Sequence, residues 1–97
     1  MKIKILSSGK EDLKQGYNFY SEQGEGLGSY FLDSLYSDVD SLLVSAGVHE
    51  KHFGYYRALS KRFPFAIYYS LVDETILVSA ILDCRMEPAW IREKLKN

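Results

Sequence analysis

The hydrophobic period changes once along this chain, and that change dictates the class of fold. From Leu27 onward, Leu27, Phe31, Leu35, Val39, Leu42 and Leu43 recur at three- and four-residue steps, with Asp33, Ser37, Asp38 and Asp40 between them. That spacing puts one apolar stripe on a helix, and Gly47 stands where it should stop. After residue 52 the helical period is gone. Phe53–Leu59, Phe63–Leu71 and Thr75–Leu82 are β-branched and aromatic runs of strand length, and Val72-Asp73-Glu74 is a short polar hairpin link. In the middle run Phe63, Phe65, Ile67, Tyr69 and Leu71 share one face, while Pro64 belongs at the strand's start or at a bulge because it donates no ladder hydrogen bond.

The first half adds a strand and a second helix. Lys2 to Leu6 alternates basic and apolar residues, as a half-buried strand does. Ser8-Gly9-Lys10-Glu11 has the spacing of a capping box, so a helix of about 13–15 residues is expected to begin there, with Leu13, Tyr17 and Tyr20 as its stripe. Glu22-Gln23-Gly24-Glu25-Gly26 closes it, and the short link predicts an antiparallel helical hairpin. Beyond Pro88, Ala89 to Lys96 suits a short terminal helix anchored by Trp90, Ile91 and Leu95. The expected fold is a two-layer α+β domain over residues 1–97, β-α-α-β-β-β with a short C-terminal helix, the hairpin packed on a mainly antiparallel sheet.

Size and charge narrow the function. A chain of 97 residues buries roughly 60–65% of its unfolded surface, which disfavours an enzyme with an enclosed pocket. The lone Cys84 excludes a disulfide scaffold and points to a reducing compartment, the cytoplasm. No stretch reads as a signal peptide or a membrane span. The net charge of -1 is unevenly spread: residues 1–48 hold four Lys and seven acids, residues 49–97 eight Lys and Arg and six acids. Lys51 to Val72 contains Lys51, Arg57, Lys61 and Arg62, seven aromatics and no acid. Basic residues interleaved with aromatics on strands pair phosphates and stack bases. Strand packing and a solubilising surface produce the same composition, and both readings stay open at this point.

Familiar catalytic signatures are missing. There is no H-E-x-x-H, paired-cysteine, P-loop or G-x-S-x-G motif. Gly24-Glu25-Gly26-Leu27-Gly28 joins two helices and reads as a loop, not a phosphate cradle. His49 and His52 lack a third ligand at metal-site spacing, and Cys84 has no histidine near it in sequence. No metal and no cofactor are expected.

The order of elements and several residue groups resemble the RelE/ParE superfamily of toxins from bacterial type II toxin–antitoxin systems, and look most like its ParE-type branch. The likeness runs from about Glu11 to Trp90. It comprises Tyr17-Asn18-Phe19-Tyr20, then Glu22 to Gly28 leading to Phe31, Tyr56-Arg57, the Arg62-Phe63-Pro64-Phe65-Ala66-Ile67-Tyr68-Tyr69 strand, and Arg85-Met86-Glu87-Pro88 with Trp90. The resemblance implies a growth-inhibiting toxin neutralised by a small antitoxin whose C-terminal segment wraps the domain, often carried on mobile DNA in the manner of plasmid-stabilisation systems. It implies that Arg57, Lys61, Arg62 and Arg85 face the target, and that Tyr17, Tyr20 and Trp90 meet the antitoxin wherever they escape the core.

Two departures bear on the target. Such toxins commonly end the last strand with a histidine, followed two positions later by one or two arginines and an acid-proline pair. Here Asp83 takes the histidine's place and Met86 that of the second arginine. The ribonuclease branch usually carries an arginine where Ala66 stands. RNA cleavage through the 2′-hydroxyl needs a base, an acid and cations, and no histidine follows residue 52. The expectation is therefore a ParE-like poison of DNA gyrase that is no enzyme itself. The alternatives are a ribosome-dependent messenger-RNA endonuclease of the RelE type and a toxin-derived domain that has lost activity.

Overall fold

The computed structural model describes residues 1–96. In chain order the elements are β1 (Lys2–Ile5), α1 (Ser7–Gln23), α2 (Leu27–Asp40), the single turn α3 (Leu42–Ser45), β2 (Lys51–His52), β3 (Tyr55–Leu59), β4 (Phe65–Val72), β5 (Thr75–Asp83) and α4 (Pro88–Leu95). The five strands form one sheet in the order β1-β5-β4-β3-β2. Only the β1–β5 pair is parallel. The expected two-layer α+β architecture is present, with differences in detail that have local causes.

The α1–α2 hairpin covers one face. Leu13, Phe31, Leu35, Val39 and Leu42 pack on Phe65, Ile67, Tyr69, Ile76, Val78 and Ile81. The alternation read from Phe63 to Leu71 therefore points as expected. On the opposite face α4 seats Ile91 and Leu95 on Ala66, Tyr68, Ala80 and Leu82. Pro88 starts α4, where a missing N–H costs nothing. Trp90, expected among its anchors, is instead 37% exposed.

A bulge lets β5 serve both layers. Tyr68 pairs with Ala80 but Tyr69 with Val78, leaving Ser79 as an extra residue. The even-numbered Ile76 and Val78 face the hairpin before it, and the odd-numbered Ile81 does so after it.

The predicted capping box does not form. α1 begins at Ser7 with no side-chain cap. The Ser8 hydroxyl donates instead to the Ser79 carbonyl at 2.6 Å, and α1 runs to 17 residues. The sheet sets the start of this helix, because Leu6 N–H already bonds the Val78 carbonyl. The predicted strand over Phe53–Leu59 is likewise two elements. Phe53 (φ 56) and Gly54 (φ 88) form a tight turn between β2 and β3, the pair of positive φ values that a two-residue hairpin requires.

Candidate interaction site

β1 is less than half the length of β5, four residues against nine. It pairs with Thr75 to Val78 and stops, so among the described residues no strand lies beside this edge of β5 from Ser79 to Asp83. The side chains of α1 occupy part of that edge. Ser8 takes the Ser79 carbonyl, and one turn later Asp12 Oδ2 accepts the Ile81 N–H at 2.9 Å. Beyond Asp12 the edge opens into a groove of about 200 Å³. Its walls are Asp12, Gly16, Phe19 and Tyr20 of α1, Ile81 to Asp83 of β5, and Met86 and Trp90.

Two carboxylates in this groove have opposite environments. Burial pushes the Asp12 carboxyl up to about 6, with the Ile81 N–H and Lys94 pulling the other way and Glu11 adding to the rise. Asp83 lies below the usual carboxylate range, chiefly because it accepts hydrogen bonds from the Arg85 side chain. Arg85 Nε and Nη2 reach the two Asp83 oxygens at 3.0 and 2.7 Å. This forked pairing satisfies much of the Arg85 guanidinium within its own turn.

The four cations expected to face a target are distributed unequally. Lys61 and Arg62 are exposed in the β3–β4 loop. That loop is held by Asp38 of α2, which accepts the Ser60 hydroxyl at 2.6 Å and the Lys61 N–H at 3.3 Å. Bonds from Ser60 N to Phe65 O and from Cys84 N to Pro64 O, both 2.9 Å, place the loop beside the turn that carries Arg85. Lys61, Arg62 and Arg85 thus gather at one end of the sheet. Arg57 pairs with Tyr68 further along β3, half-buried on the α4 face. Among the described residues Lys61 and Arg62 have no acidic partner within ion-pair distance.

Of the three aromatics expected at an antitoxin contact, Tyr20 and Trp90 come together in the groove. Tyr17 lies on the other flank of α1, against the α2 backbone at Gly28. Tyr20 is half-buried and packs against Phe31 and Phe63 at centroid distances of 5.1 and 4.9 Å. Phe31 is wholly buried, whereas Phe19, Tyr30 and Tyr36 are about half exposed. The hairpin's outer surface is therefore not wholly polar. Sequence reading singled out neither Asp12 nor Phe19 as a groove residue. Asp12 stands 69 residues from its partner, and no local pattern marks it.

His49 and His52 do not share a site. His49 Nδ1 meets the Tyr69 hydroxyl at 2.5 Å, while His52 turns towards Glu50 at 3.6 Å. No three metal-ligating side chains converge among the described residues. No helix among those residues is long and apolar enough to cross a membrane.

No family model and no curated protein matches this sequence. A comparison of structures does find a likeness. The chain is similar in fold to a chain of the solved structure described as "Chromosomal ParDE TA system from P. aeruginosa", with a TM-score of 0.74 and 19% identity, over 84% of this chain and 92% of that one. The strand–hairpin–sheet arrangement expected from the sequence is the fold of a protein from a toxin–antitoxin system.

Proposed function

We propose that this chain is the toxin of a type II toxin–antitoxin system, of the ParE-like type, and that it inhibits growth by binding DNA gyrase. One observation carries the reading: the likeness in fold to the ParDE chain extends over most of both chains. The cations support it. Lys61 and Arg62 project from an anchored loop with no acidic partner among the described residues, and Arg85 stands in the adjoining turn, so a basic end is available to press on a large target. Arg57 extends that surface onto the α4 face. In this reading a cognate antitoxin covers Tyr17, Tyr20 and Trp90, the protein works in the cytoplasm, and plasmid stabilisation or carriage on mobile DNA is its setting.

The test is direct. Purified protein added to gyrase and plasmid should inhibit supercoiling and trap gyrase–DNA complexes, and the Lys61→Ala/Arg62→Ala variant should do so weakly. Unchanged supercoiling with no trapped complex refutes the gyrase target.

A RelE-type endonuclease is the second reading, and Asp12 is the observation that favours it. A carboxyl pushed up to about 6 is suited to general acid–base work near neutral pH. In translation extracts that reading predicts messenger RNA cut at the ribosomal A site and protected by Asp12→Asn. Messenger RNA left intact across the dose range ends it.

A further inference from the structure

The groove contains an incomplete set of interactions, and what is missing defines what would fill it. Strand alternation sends the Cys84 N–H to the Pro64 carbonyl, just ahead of β4, and the Ile81 N–H the opposite way, to Asp12. The Ile81 carbonyl and the Asp83 N–H therefore turn towards the groove, away from β4. An acceptor and a donor two residues apart on one strand edge are what a single residue of a parallel neighbour satisfies with its own N–H and C=O. β1 already runs parallel to β5 on this edge and stops short of it.

Charge is the second gap. Asp12 spends Oδ2 on the Ile81 N–H, and among the described residues no Lys, Arg or His nitrogen lies within 4.0 Å of either of its oxygens. Lys94 of α4 acts on it from beyond that distance and rests over the Trp90 ring at 5.5 Å. Glu11 on the same helix adds negative charge, and Asp83 across the groove is neutralised by Arg85. Burial, more than any neighbouring charge, disfavours the Asp12 carboxylate, and a cation seated against its second oxygen would offset that burial. Phe19, Met86 and Trp90 supply apolar walls against which a long aliphatic stem packs.

We propose that the groove receives an extended segment of a partner protein, running parallel to β5 in line with β1, which pairs with Ile81 and Asp83 and sets one arginine or lysine onto Asp12. This gives the antitoxin of the proposed function its binding chemistry, and rests on that reading only for the partner's identity. Backbone pairing supplies affinity and the basic side chain supplies register.

The test uses the full chain and a phage-displayed library of random linear peptides of about seven residues, the length of an ordinary strand. Selected binders should carry Arg or Lys at one fixed position between apolar residues. The best of them, as a labelled synthetic peptide, should bind Asp12→Asn about tenfold to a hundredfold more weakly, the worth of a charged hydrogen bond. Asn keeps an oxygen for the Ile81 N–H, so this variant stays folded. Phe19→Lys, which places a competing cation in the groove from an exposed position, should lose the peptide as well, and Arg57→Ala should retain it. The proposal is overturned if no peptide is enriched, if the enriched ones lack a fixed basic residue, or if Asp12→Asn binds them unchanged. A self-association that shuts the peptides out overturns it too. None of these results touches growth arrest or gyrase inhibition, so the docking proposal and the toxin reading fail separately.

Discussion

Replacing Asp12 by asparagine should stabilise the protein at neutral pH. Asp12 is half-buried beside Phe19 and Trp90, and its carboxyl rises from the ordinary 3.8 to about 6 because burial penalises the charged form. The folded state thus holds a proton that the unfolded chain has already released between about pH 4 and about pH 6. Stability contributed by this group is present below the ordinary pKa and falls as pH climbs through the raised one. A fully dehydrated carboxyl shifted this far would cost ~3 kcal/mol. Asp12 lines an open groove, and solvent screening reduces the cost to about 1–2 kcal/mol. Asparagine removes the charge and retains the acceptor for the Ile81 N–H. Urea titrations from pH 4 to pH 8 should show wild-type stability losing that component over the window and Asp12→Asn lacking the loss. At pH 7 the variant should melt higher by about 5–10 °C, given the size of the domain. If Asp12→Asn is less stable at pH 7 and follows the same pH profile as the wild type, Asp12 is not a buried charge without a partner, and the reasoning about the groove collapses with it.

Four other substitutions test the packing and the electrostatics. A methyl at Gly16 would land on the ring of Phe31 in the core, so Gly16→Ala should cost about 1–3 kcal/mol in chemical denaturation. The Tyr69 hydroxyl accepts the Gly47 N–H at 2.9 Å and meets His49 Nδ1. Tyr69→Phe removes both partners and should cost about 1–3 kcal/mol, with faster hydrogen exchange at Gly47. Asp83 is held below its ordinary pKa by Arg85, so this pair is intact above the usual carboxylate range and breaks only as pH falls through the lowered value. Asp83→Asn should free Arg85 and strengthen gyrase inhibition at neutral pH, whereas Arg85→Ala should weaken it.

The elements were legible wherever the cause was local. The period from Leu27 to Leu43 gave α2, although the helix breaks at Ser41 before α3. The alternation around Phe65 and Ile67 gave both the strand and its buried face. What stayed hidden depends on contacts distant in sequence. Ser8 and Glu11 have capping-box spacing, yet Ser8 is engaged by Ser79, 71 residues away. Ile3 and Ile5 announce a strand, but nothing near them says that it pairs parallel to β5 or that it ends too soon to cover it. The Ser79 bulge leaves no mark in a run of apolar residues, because it is set by what packs on either face. Tyr20 and Trp90 could be named as candidates, but their meeting in one groove required the α1–β5–α4 arrangement. Nothing near Asp12 in the sequence marks it, because the Ile81 N–H that it accepts lies 69 residues away.

The measurement closest to the central claim is inducible expression in a bacterial host, alone and with the neighbouring reading frame supplied. Growth should stop on induction of this chain, recover when a short acidic partner is co-expressed, and persist largely unimpaired with the Lys61→Ala/Arg62→Ala variant at equal protein level. Full growth with abundant, folded wild-type protein would contradict the toxin reading.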